Sequence, residues 1–392
     1  MSGIGGIIDF NEIPISNLHA SNLKKHLKKR VYDEYGEKIG KNFFLCTFKK
    51  NLTPESLFEE QPFFLSSNST YFLMDGRIDN REELISNLKL NRDITDIMII
   101  SLLYQKYEKR FIEFLIGSFS IVIFNKEINE VMLFRDHAGT KPLFFYFENN
   151  YLIFSSEIGS IKDIIGNRLN INKKRISDYI VHLYGAPGET FFENIKKVLK
   201  AHYVHIRKGE LLSRRFFKFN LDEIKFKSLA ECAEEFEIIF KNVIKAQSRS
   251  TRIIGTKLSG GLDSSSITSV LCSLTQNDIY GYSAIFSNLS SRDFKKTDER
   301  AYMDAVANRY RNLKHKIVNI DANCTNAIDY AFDENDNYKE IIPHANRYFD
   351  IAILEAAKKD NINVLMDGFD GDSIVSYGLV YLTWLGKNFK LN

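Results

Sequence analysis

Short apolar and aromatic runs, separated by glycine, asparagine or charged residues, dominate the first half of the chain. Runs of this kind predict β-strands at residues 3–10, 43–48, 71–74, 118–124, 131–134, 143–147 and 151–155. Apolar residues recur at helical spacing at 81–88 and 96–107, which predicts helices between the strands. Many strands with few helices are typical of stacked sheets flanked by helices.

The second half of the chain alternates between helices and strands. Apolar positions at helical spacing predict helices at residues 229–247, 264–274, 298–310 and 348–359. Runs rich in β-branched and aromatic residues predict strands at residues 252–258, 279–286, 314–320 and 363–366. This alternation predicts a doubly wound parallel sheet. Residues 216–228 resemble a linker, so we place a domain boundary near residue 225.

Composition and charge narrow the class of protein. The 392 residues suffice for two domains, and 44% hydrophobic with 26% charged residues is typical of globular proteins. A net charge of +3 gives no support for a nucleic-acid or membrane-surface role. No apolar run approaches the roughly 20 residues that span a bilayer, and the apolar N-terminus lacks the basic leader of a signal peptide. We therefore expect a cytoplasmic enzyme that binds neither nucleic acid nor membrane.

Cysteines and histidines add no metal site to this picture. None of the cysteines has a partner at metal-ligand spacing, and we expect reduced, mostly buried thiols at Cys46, Cys232, Cys272 and Cys324. His182, His202 and His205 lie in the stretch that we predict to connect the domains. We expect them to be surface or core residues. The aromatic run at 144–147 predicts a core strand.

A serine-glycine loop joins the predicted strand at 252–258 to the predicted helix at 264–274. Gly260 and Gly261 let the backbone turn tightly and approach a phosphate group, and the following helix directs free N–H groups at an anion. Ser259 and Ser264 supply hydroxyl groups, whereas Asp263 suits Mg²⁺ rather than a bare anion. The pattern SGGxDS is typical of ATP pyrophosphatases and differs from a Walker A loop. An unliganded loop at a helix start is the alternative.

A second acidic loop, at residues 367–372, follows the predicted strand at 363–366. In a doubly wound sheet, the loops after strand ends converge where the strand order reverses. A carboxylate from this loop could therefore share Mg²⁺ with Asp263. A solvated turn is the alternative.

Ordered motifs along nearly the whole chain resemble the asparagine synthetase family. Residues 2–7 (SGIGGI) resemble the family's opening Cys-Gly-Ile-x-Gly, residues 135–143 (RDHAGTKPL) its RDxxGxKPL stretch, and residues 154–157 (FSSE) its F-x-S-E. Residues 259–264 (SGGLDS) complete the series. The resemblance implies an N-terminal Ntn-hydrolase-like αββα sandwich of the glutaminase type at residues 1–225. It implies a doubly wound ATP-pyrophosphatase domain at residues 226–392.

The resemblance also assigns the residues of a nucleotide site. It implies that ATP is held by Leu258, Ser259, Gly260, Gly261, Asp263, Ser264, Ile285 and Gly368. It implies that Asp263 and Asp372 are catalytic and bind Mg²⁺. In the acidic loop, Phe369 stands where relatives often have a polar catalytic residue.

The glutaminase motifs of the family are altered in this chain. The nucleophilic cysteine is replaced by Ser2, whose hydroxyl group is a poorer nucleophile than a thiolate. The Asn-Gly-Glu stretch that holds glutamine reads Asp75-Gly76-Arg77, and we expect Arg77 to repel the substrate amine. Asp96 matches the remaining acidic position. These changes favour a domain that keeps the fold without glutaminase activity.

The implied reaction is ATP-dependent amide formation, in which a carboxylate is adenylated, pyrophosphate leaves, and an amine then displaces AMP. The altered glutaminase motifs and the acidic loop resemble lasso-peptide cyclases and β-lactam synthetases, so we expect a lasso-peptide macrolactam synthetase acting on a precursor peptide. A glutamine- or ammonia-dependent asparagine synthetase is one alternative. The family usually continues beyond residue 392 and supplies a lysine that neither Lys387 nor Lys390 matches. A truncated non-catalytic nucleotide-binding protein, or half of a split enzyme completed by another protein, therefore also remains open, as does a homodimer.

Overall fold

The computed structural model describes residues 2–183, 185–220, 224–286, 298–320, 347–369 and 371. These residues form two compact units, whose boundary lies between Lys225 and Phe226. In the part of the chain that is described, no helix is long and apolar enough to cross a membrane.

The first unit contains two antiparallel sheets of six strands each. The strands of the first sheet are β1 (Gly3–Asp9), β2 (Glu34–Ile39), β3 (Phe43–Lys49), β8 (Phe144–Glu148), β9 (Tyr151–Ser155) and β10 (Lys196–Lys197). Their order is β10-β8-β9-β1-β3-β2. The strands of the second sheet are β4 (Phe63–Leu65), β5 (Thr70–Ile78), β6 (Gly117–Asn125), β7 (Glu130–Arg135), β11 (His202–Arg207) and β12 (Glu210–Arg215). Their order is β12-β11-β7-β6-β5-β4.

The two sheets stack face to face and helices cover their outer faces. The helices of this unit are α1 (Asn17–Leu27), α2 (Arg81–Leu88), α3 (Asp96–Tyr107), α4 (Ile158–Ile165) and α5 (Lys173–Ile180). Strand β1 shows the layering, since Ile4 and Ile8 pack between the sheets while Ile7 packs on the other face, with Leu23 of α1 and Ile161 of α4. On the far side, α2 and α3 pack against the second sheet. The predicted αββα sandwich is confirmed.

Several elements of the first unit were missed from the sequence. Helices α1, α4 and α5 and strands β2, β4 and β10–β12 lie outside the predicted runs. His202 and His205 belong to β11, so their placement in a connecting stretch was wrong; the Nε2 atom of His205 lies 2.8 Å from Glu130 on β7. The hairpin formed by β11 and β12 was missed because every residue of the edge strand β12 is exposed, so β12 shows no alternation of hydrophobic and polar residues. The aromatic run at 144–147 does form a strand, and Phe144, Phe145 and Tyr146 are buried as predicted.

The second unit is built on one parallel sheet. Its strands are β13 (Ile254–Lys257), β14 (Ile279–Ile285), β15 (Leu313–Asn319) and β16 (Val364–Met366), and all neighbours pair in parallel. Its helices are α6 (Leu229–Gln247), α7 (Leu262–Leu274), α8 (Arg300–Arg309) and α9 (Arg347–Lys359). Ile244, Leu271 and Met303, from α6, α7 and α8, share one core. Ile353 of α9 packs in another core with Tyr282.

The strand order β15-β14-β13-β16 decides where a ligand can bind. The chain proceeds from β13 to β14 and β15 on one side, and β16 then adds to the opposite edge of β13. In a doubly wound sheet, this reversal opens a crevice beyond the carboxyl ends of the two strands that flank it. The predicted parallel sheet is therefore confirmed, and the loops after β13 and β16 are the ones that border the crevice.

A buried carboxyl group makes the stability of the first unit depend on pH. Glu59 is 4% exposed, and its carboxyl oxygens accept the N–H of Ile97 at 2.9 Å and the amide of Gln61 at 2.6 Å. Burial, together with the nearby Asp96, raises the pKa of Glu59 to about 7. The folded state therefore binds this proton more tightly than the unfolded state does, and stability is lost as the pH rises from the unfolded pKa towards 7.

We predict that the free energy of unfolding of the first unit falls between pH 5 and pH 7.5 by up to about 3 kcal/mol from this group alone. The glutamine side chain of Glu59→Gln stays neutral at every pH in this range, so the variant should lack this part of the pH dependence. Urea unfolding at a series of pH values checks the prediction. An identical pH profile in the wild-type protein and the variant would contradict it.

Candidate functional site

The loop that follows β13 turns tightly and leads into α7. Gly260 has a φ of +89°, a left-handed conformation that favours glycine. The backbone N–H of Ser259 donates to Oγ of Ser264 at 3.2 Å, and the two hydroxyl oxygens are 2.9 Å apart. These bonds use the buried Ser264 hydroxyl group to brace the loop. Gly261 is the N-cap of α7 and has no side chain to cap it, so the first helical turn presents its N–H groups to an anion.

The loop after β16 packs its backbone on this helix start. A Cβ atom on Gly368 would lie 2.8 Å from the amide nitrogen of Ser264. A Cβ atom on Gly371 would lie 2.4 Å from Cγ of Asp263. The position of Gly368 therefore requires glycine, because any side chain would collide with the backbone at the start of α7. A side chain at Gly371 would displace the Asp263 carboxylate group. The two loops converge, as their places after flanking strand ends predict.

A cavity of about 610 Å³ opens at this junction. One part of its lining is apolar and includes Ile285, Met303, Phe349 and Ile353. The predicted nucleotide-binding residues that line it are Leu258, Ser259, Gly261, Asp263, Ser264, Ile285 and Gly368. Gly260 belongs to the same loop. The structure thus brings the predicted residues together around one cavity, and their roles toward a nucleotide stay predictions.

The charges of the cavity are predominantly negative. Its lining contains the cations Lys257 and Arg300. Arg300 is already paired with a cavity carboxylate, at 2.8 Å from Oδ1 of Asp298. The carboxylates outnumber the cations and comprise Asp263, Asp298, Glu299, Asp350 and Asp367. Among the described residues of the lining, this excess of carboxylates would repel a bare triphosphate and favours ATP that carries bound cations.

The donor groups that the structure describes fit Mg²⁺ bound together with a phosphate. Asp263 is half-buried, and no described residue forms a hydrogen bond or ion pair with its carboxylate group. Asp372, the second predicted ligand, lies outside the described residues, but its neighbour Gly371 lies against Asp263. Within the described ranges there is no cluster of three or more metal-binding side chains. Mg²⁺ suits this arrangement, since it is often held by one or two carboxylates and completed by substrate phosphates.

Lys257, which we did not single out from the sequence, ties three elements together at the cavity. Its Nζ atom lies 2.6 Å from Oδ1 of Asp350, in the first turn of α9, and 2.5 Å from Oδ2 of Asp367, just after β16. Burial alone would lower the pKa of Lys257, but the hydrogen bonds to the two carboxylates outweigh it and raise the pKa. A lysine at the end of a strand in an otherwise apolar run was the one available sequence signal.

We predict that Gly368→Ala weakens the binding of Mg·ATP by roughly tenfold or more, because the acidic loop must move away from Ser264 and misplaced binding groups are costly. Titration with a fluorescent ATP analogue measures the effect. Gly281→Ala is the matched control on β14, since its Cβ would meet only the flexible end of Leu313 at 3.1 Å. Equal affinities in the two variants would refute the proposed role of the contact.

The residues expected to form a glutamine pocket in the first unit are joined by a buried arginine. Arg30 donates to the carbonyl oxygens of Ser2 and Ser156, and its guanidinium group pairs with Glu157 at 2.5 Å and with Asp75 at 3.2 Å. The Arg30, Asp75 and Glu157 side chains are at most 7% exposed. Burial raises the pKa of Glu157, and the charge of Arg30 opposes this shift. Arg30 thus links Ser2 to Asp75 and Glu157 within one buried cluster.

The other two residues expected in that pocket are also used internally. Arg77 pairs with Asp79 at 2.8 Å, so its charge is compensated and our expectation that it repels a substrate amine loses its basis. Asp96 pairs with Arg81 at 2.8 Å and accepts the N–H of Ile78 at 2.9 Å. Asp96 is therefore a structural residue at the start of α3. Lys141 lies 3.7 Å from Asp75 and adds a second cation to the buried cluster.

We predict that Arg30→Met lowers the free energy of unfolding of the first unit by about 3–5 kcal/mol. The reason is that the variant leaves the buried Glu157 without its cation and Asp75 with only the more distant Lys141. Urea unfolding of the full chain measures the loss. The triple variant Arg30→Met/Asp75→Asn/Glu157→Gln should recover much of it. Arg110→Met, which removes an exposed pair with Glu113, should show no measurable change. An unchanged free energy of unfolding in Arg30→Met would disprove the stabilising role of the cluster.

Comparison with known proteins matches each of the two units to a protein family. Residues 1–217, more than half of the chain, match the family described as a glutamine amidotransferase domain, and residues 235–388 match the asparagine synthase family. The chain is 24% identical, over 99% of its length, to a protein assigned as glutamine-hydrolysing asparagine synthetase 2 in Methanocaldococcus jannaschii, of which the alignment covers 78%.

Two further relatives are matched over a smaller part of their length. The glutamine-hydrolysing asparagine synthetase 2 of Bacillus subtilis is 29% identical over 53% of this chain, and the alignment covers 30% of that protein. The amidase chyE of Penicillium rubens is 24% identical over 81% of this chain, and 48% of it is covered. The chain therefore spans less than half of these two relatives.

Proposed function

Because the chain belongs to the asparagine synthetase family of ATP-dependent carbon–nitrogen ligases, we propose that its second unit cleaves ATP between the α and β phosphates to activate a carboxylate. The observation that carries this proposal is the convergence of the SGGLDS loop and the acidic loop around one cavity. A cytoplasmic location, where ATP is available, is part of the proposal.

In the first step, a carboxylate oxygen of the substrate attacks the α phosphorus, and the bond between the α phosphorus and the bridging oxygen breaks. The leaving pyrophosphate binds the loop at Ser259 and the N–H groups at the start of α7. Asp263 and Asp372 would hold Mg²⁺, which would neutralise part of the phosphate charge. Ile285 and the apolar lining around Phe349 accept the adenine base.

In the second step, an amine attacks the carbonyl carbon of the acyl-adenylate. The new carbon–nitrogen bond forms, the carbon–oxygen bond to AMP breaks, and the nitrogen releases a proton to solvent. Phe369 lines the cavity and is 70% exposed, and it has no group that could accept this proton. The protein therefore contributes chiefly by holding the reactants together and compensating charge.

The nitrogen source separates the candidate functions. The relatives from Methanocaldococcus and Bacillus are named as glutamine-hydrolysing. In this chain, Ser2 in place of the cysteine nucleophile and the pairing of Arg30 with Asp75 and Glu157 support a first unit without glutaminase activity. We favour an amine that belongs to the substrate itself, as in macrolactam formation by lasso-peptide cyclases on a precursor peptide. Ammonia-dependent asparagine synthesis is the second candidate. A non-catalytic nucleotide-binding protein, or half of a split enzyme, is the third.

We predict that pyrophosphate release from Mg·ATP depends on an added carboxylate substrate and falls by at least about 1000-fold in Asp263→Asn, because the variant loses the carboxylate expected to hold Mg²⁺. A coupled pyrophosphate assay measures the rate. Asp278→Asn is the matched control, since this exposed carboxylate pairs with Lys314 away from the cavity. Equal rates in the two variants would contradict the assignment of Asp263.

The products of the same reactions, measured directly, identify the nitrogen source. Aspartate with glutamine should release no glutamate, because Ser2 is a poorer nucleophile than the cysteine it replaces. Peptide substrates should give a cyclic amide and AMP in equal amounts. Asparagine formed from aspartate and ammonia would select the second candidate. Glutamate formed from glutamine would overturn our reading of the first unit.

A further inference from the structure

The charge arrangement at Lys257 resembles a cation site filled by the protein itself. Its ammonium group lies at 2.5–2.6 Å from carboxylate oxygens of two residues that are distant in sequence, Asp350 and Asp367. Both carboxylates line the cavity that contains Asp263. Oxygen atoms of two carboxylates that converge on one point form the kind of donor set that hard divalent cations accept. In this chain a lysine side chain occupies that point.

The two carboxylates hold the acidic loop through Lys257. Oδ2 of Asp367 binds the ammonium group, while Oδ1 accepts the N–H of Phe369 at 3.1 Å and so shapes the turn. Gly368, which lies between Asp367 and Phe369, packs on the backbone of Ser264. The position of the acidic loop against the start of α7 therefore depends on a positive charge between Asp350 and Asp367, without which the two carboxylates repel one another.

We propose that Lys257 is a positioning residue of the nucleotide cavity, whose ammonium group takes the place of a divalent cation between Asp350 and Asp367. It keeps the acidic loop against the phosphate loop and lowers the negative charge that ATP meets. Lys257 acts on turnover in this way only if the second unit binds Mg·ATP, as proposed above. If the ammonium group stands in for a metal ion, removing it should create a metal-binding site, which can be measured without turnover.

Metal binding should increase when Lys257 is replaced by a neutral residue. Lys257→Met should bind one more Mn²⁺ per chain than the wild-type protein in the absence of nucleotide, as measured by the electron paramagnetic resonance signal of free Mn²⁺. Lys257→Met/Asp367→Asn should not gain this ion, because one of the two carboxylates is lost. Lys316→Met is the matched control: Lys316 pairs with Asp360 at 2.6 Å in the same unit, away from the cavity lining. It should bind Mn²⁺ as the wild-type protein does.

Nucleotide binding gives an independent readout. At low Mg²⁺ concentration, Lys257→Met should bind a fluorescent ATP analogue roughly 10- to 100-fold more weakly than the wild-type protein, in line with the loss of a residue that supports a metal site. High Mg²⁺ should restore most of the affinity, since the metal replaces the missing charge. Lys257→Arg should keep the affinity at low Mg²⁺. A residue that merely stabilised the fold would show no such rescue by Mg²⁺.

The outcomes separate this inference from the proposed function. An unchanged Mn²⁺ count in Lys257→Met, or an affinity loss that Mg²⁺ does not restore, would overturn the role of Lys257. If the wild-type protein never turns over ATP, the proposed function fails while the Mn²⁺ count still decides the inference. If Lys257→Met does not fold, Lys257→Met/Asp350→Asn/Asp367→Asn should fold because the repulsion is gone. Failure of this variant to fold would reduce Lys257 to a structural residue and refute the proposal.

Discussion

The close approach of two backbone segments is the constraint on which the proposed site depends. The acidic loop reaches the start of α7 because Gly368 has no side chain to collide with the backbone of Ser264, and Gly371 leaves room for the Asp263 carboxylate group. This contact brings the loop that carries Asp367 beside Ser264 and Asp263, and it follows from the reversal of strand order at β13. The sheet supplies the crevice, the glycines allow its two sides to meet, and the free N–H groups of α7 make it attractive to phosphate.

Electrostatics then determine what the cavity can accept. Its carboxylates outnumber its cations, so a triphosphate requires cations that the described side chains do not supply in full. Asp263 has no described partner and suits Mg²⁺, whereas Asp350 and Asp367 are already compensated by Lys257. In the first unit, Arg30 compensates Asp75 and Glu157 in the same way. The partly exposed pairs of Lys257 thus shape a cavity for a ligand, whereas the buried pairs of Arg30 link elements of the first unit.

Local sequence pattern predicted the parallel sheet of the second unit and the loops of the nucleotide cavity. It missed five strands of the first unit and the ion pairs of Lys257 and Arg30. The SGGLDS loop and the acidic loop are marked by residue type and by their place after strands, so their convergence followed from topology. Ile285, the last residue of β14, was assigned by the family resemblance alone. Lys257 pairs with residues 93 and 110 positions away, and Arg30 reaches Glu157 across 127. Such distances leave no periodic signal. Helix α1 was missed because it buries only Leu23, His26 and Leu27, too few positions to form a clear apolar stripe.

The central claim is that the second unit breaks ATP between its α and β phosphates. The most direct test is ³¹P nuclear magnetic resonance of the wild-type protein turning over Mg·ATP with its preferred carboxylate substrate, because the spectrum identifies which bond is broken. We predict AMP and pyrophosphate in equal amounts, with no ADP, because the SGGLDS loop is built to hold the leaving pyrophosphate at the start of α7. ADP and inorganic phosphate as the products would contradict the account.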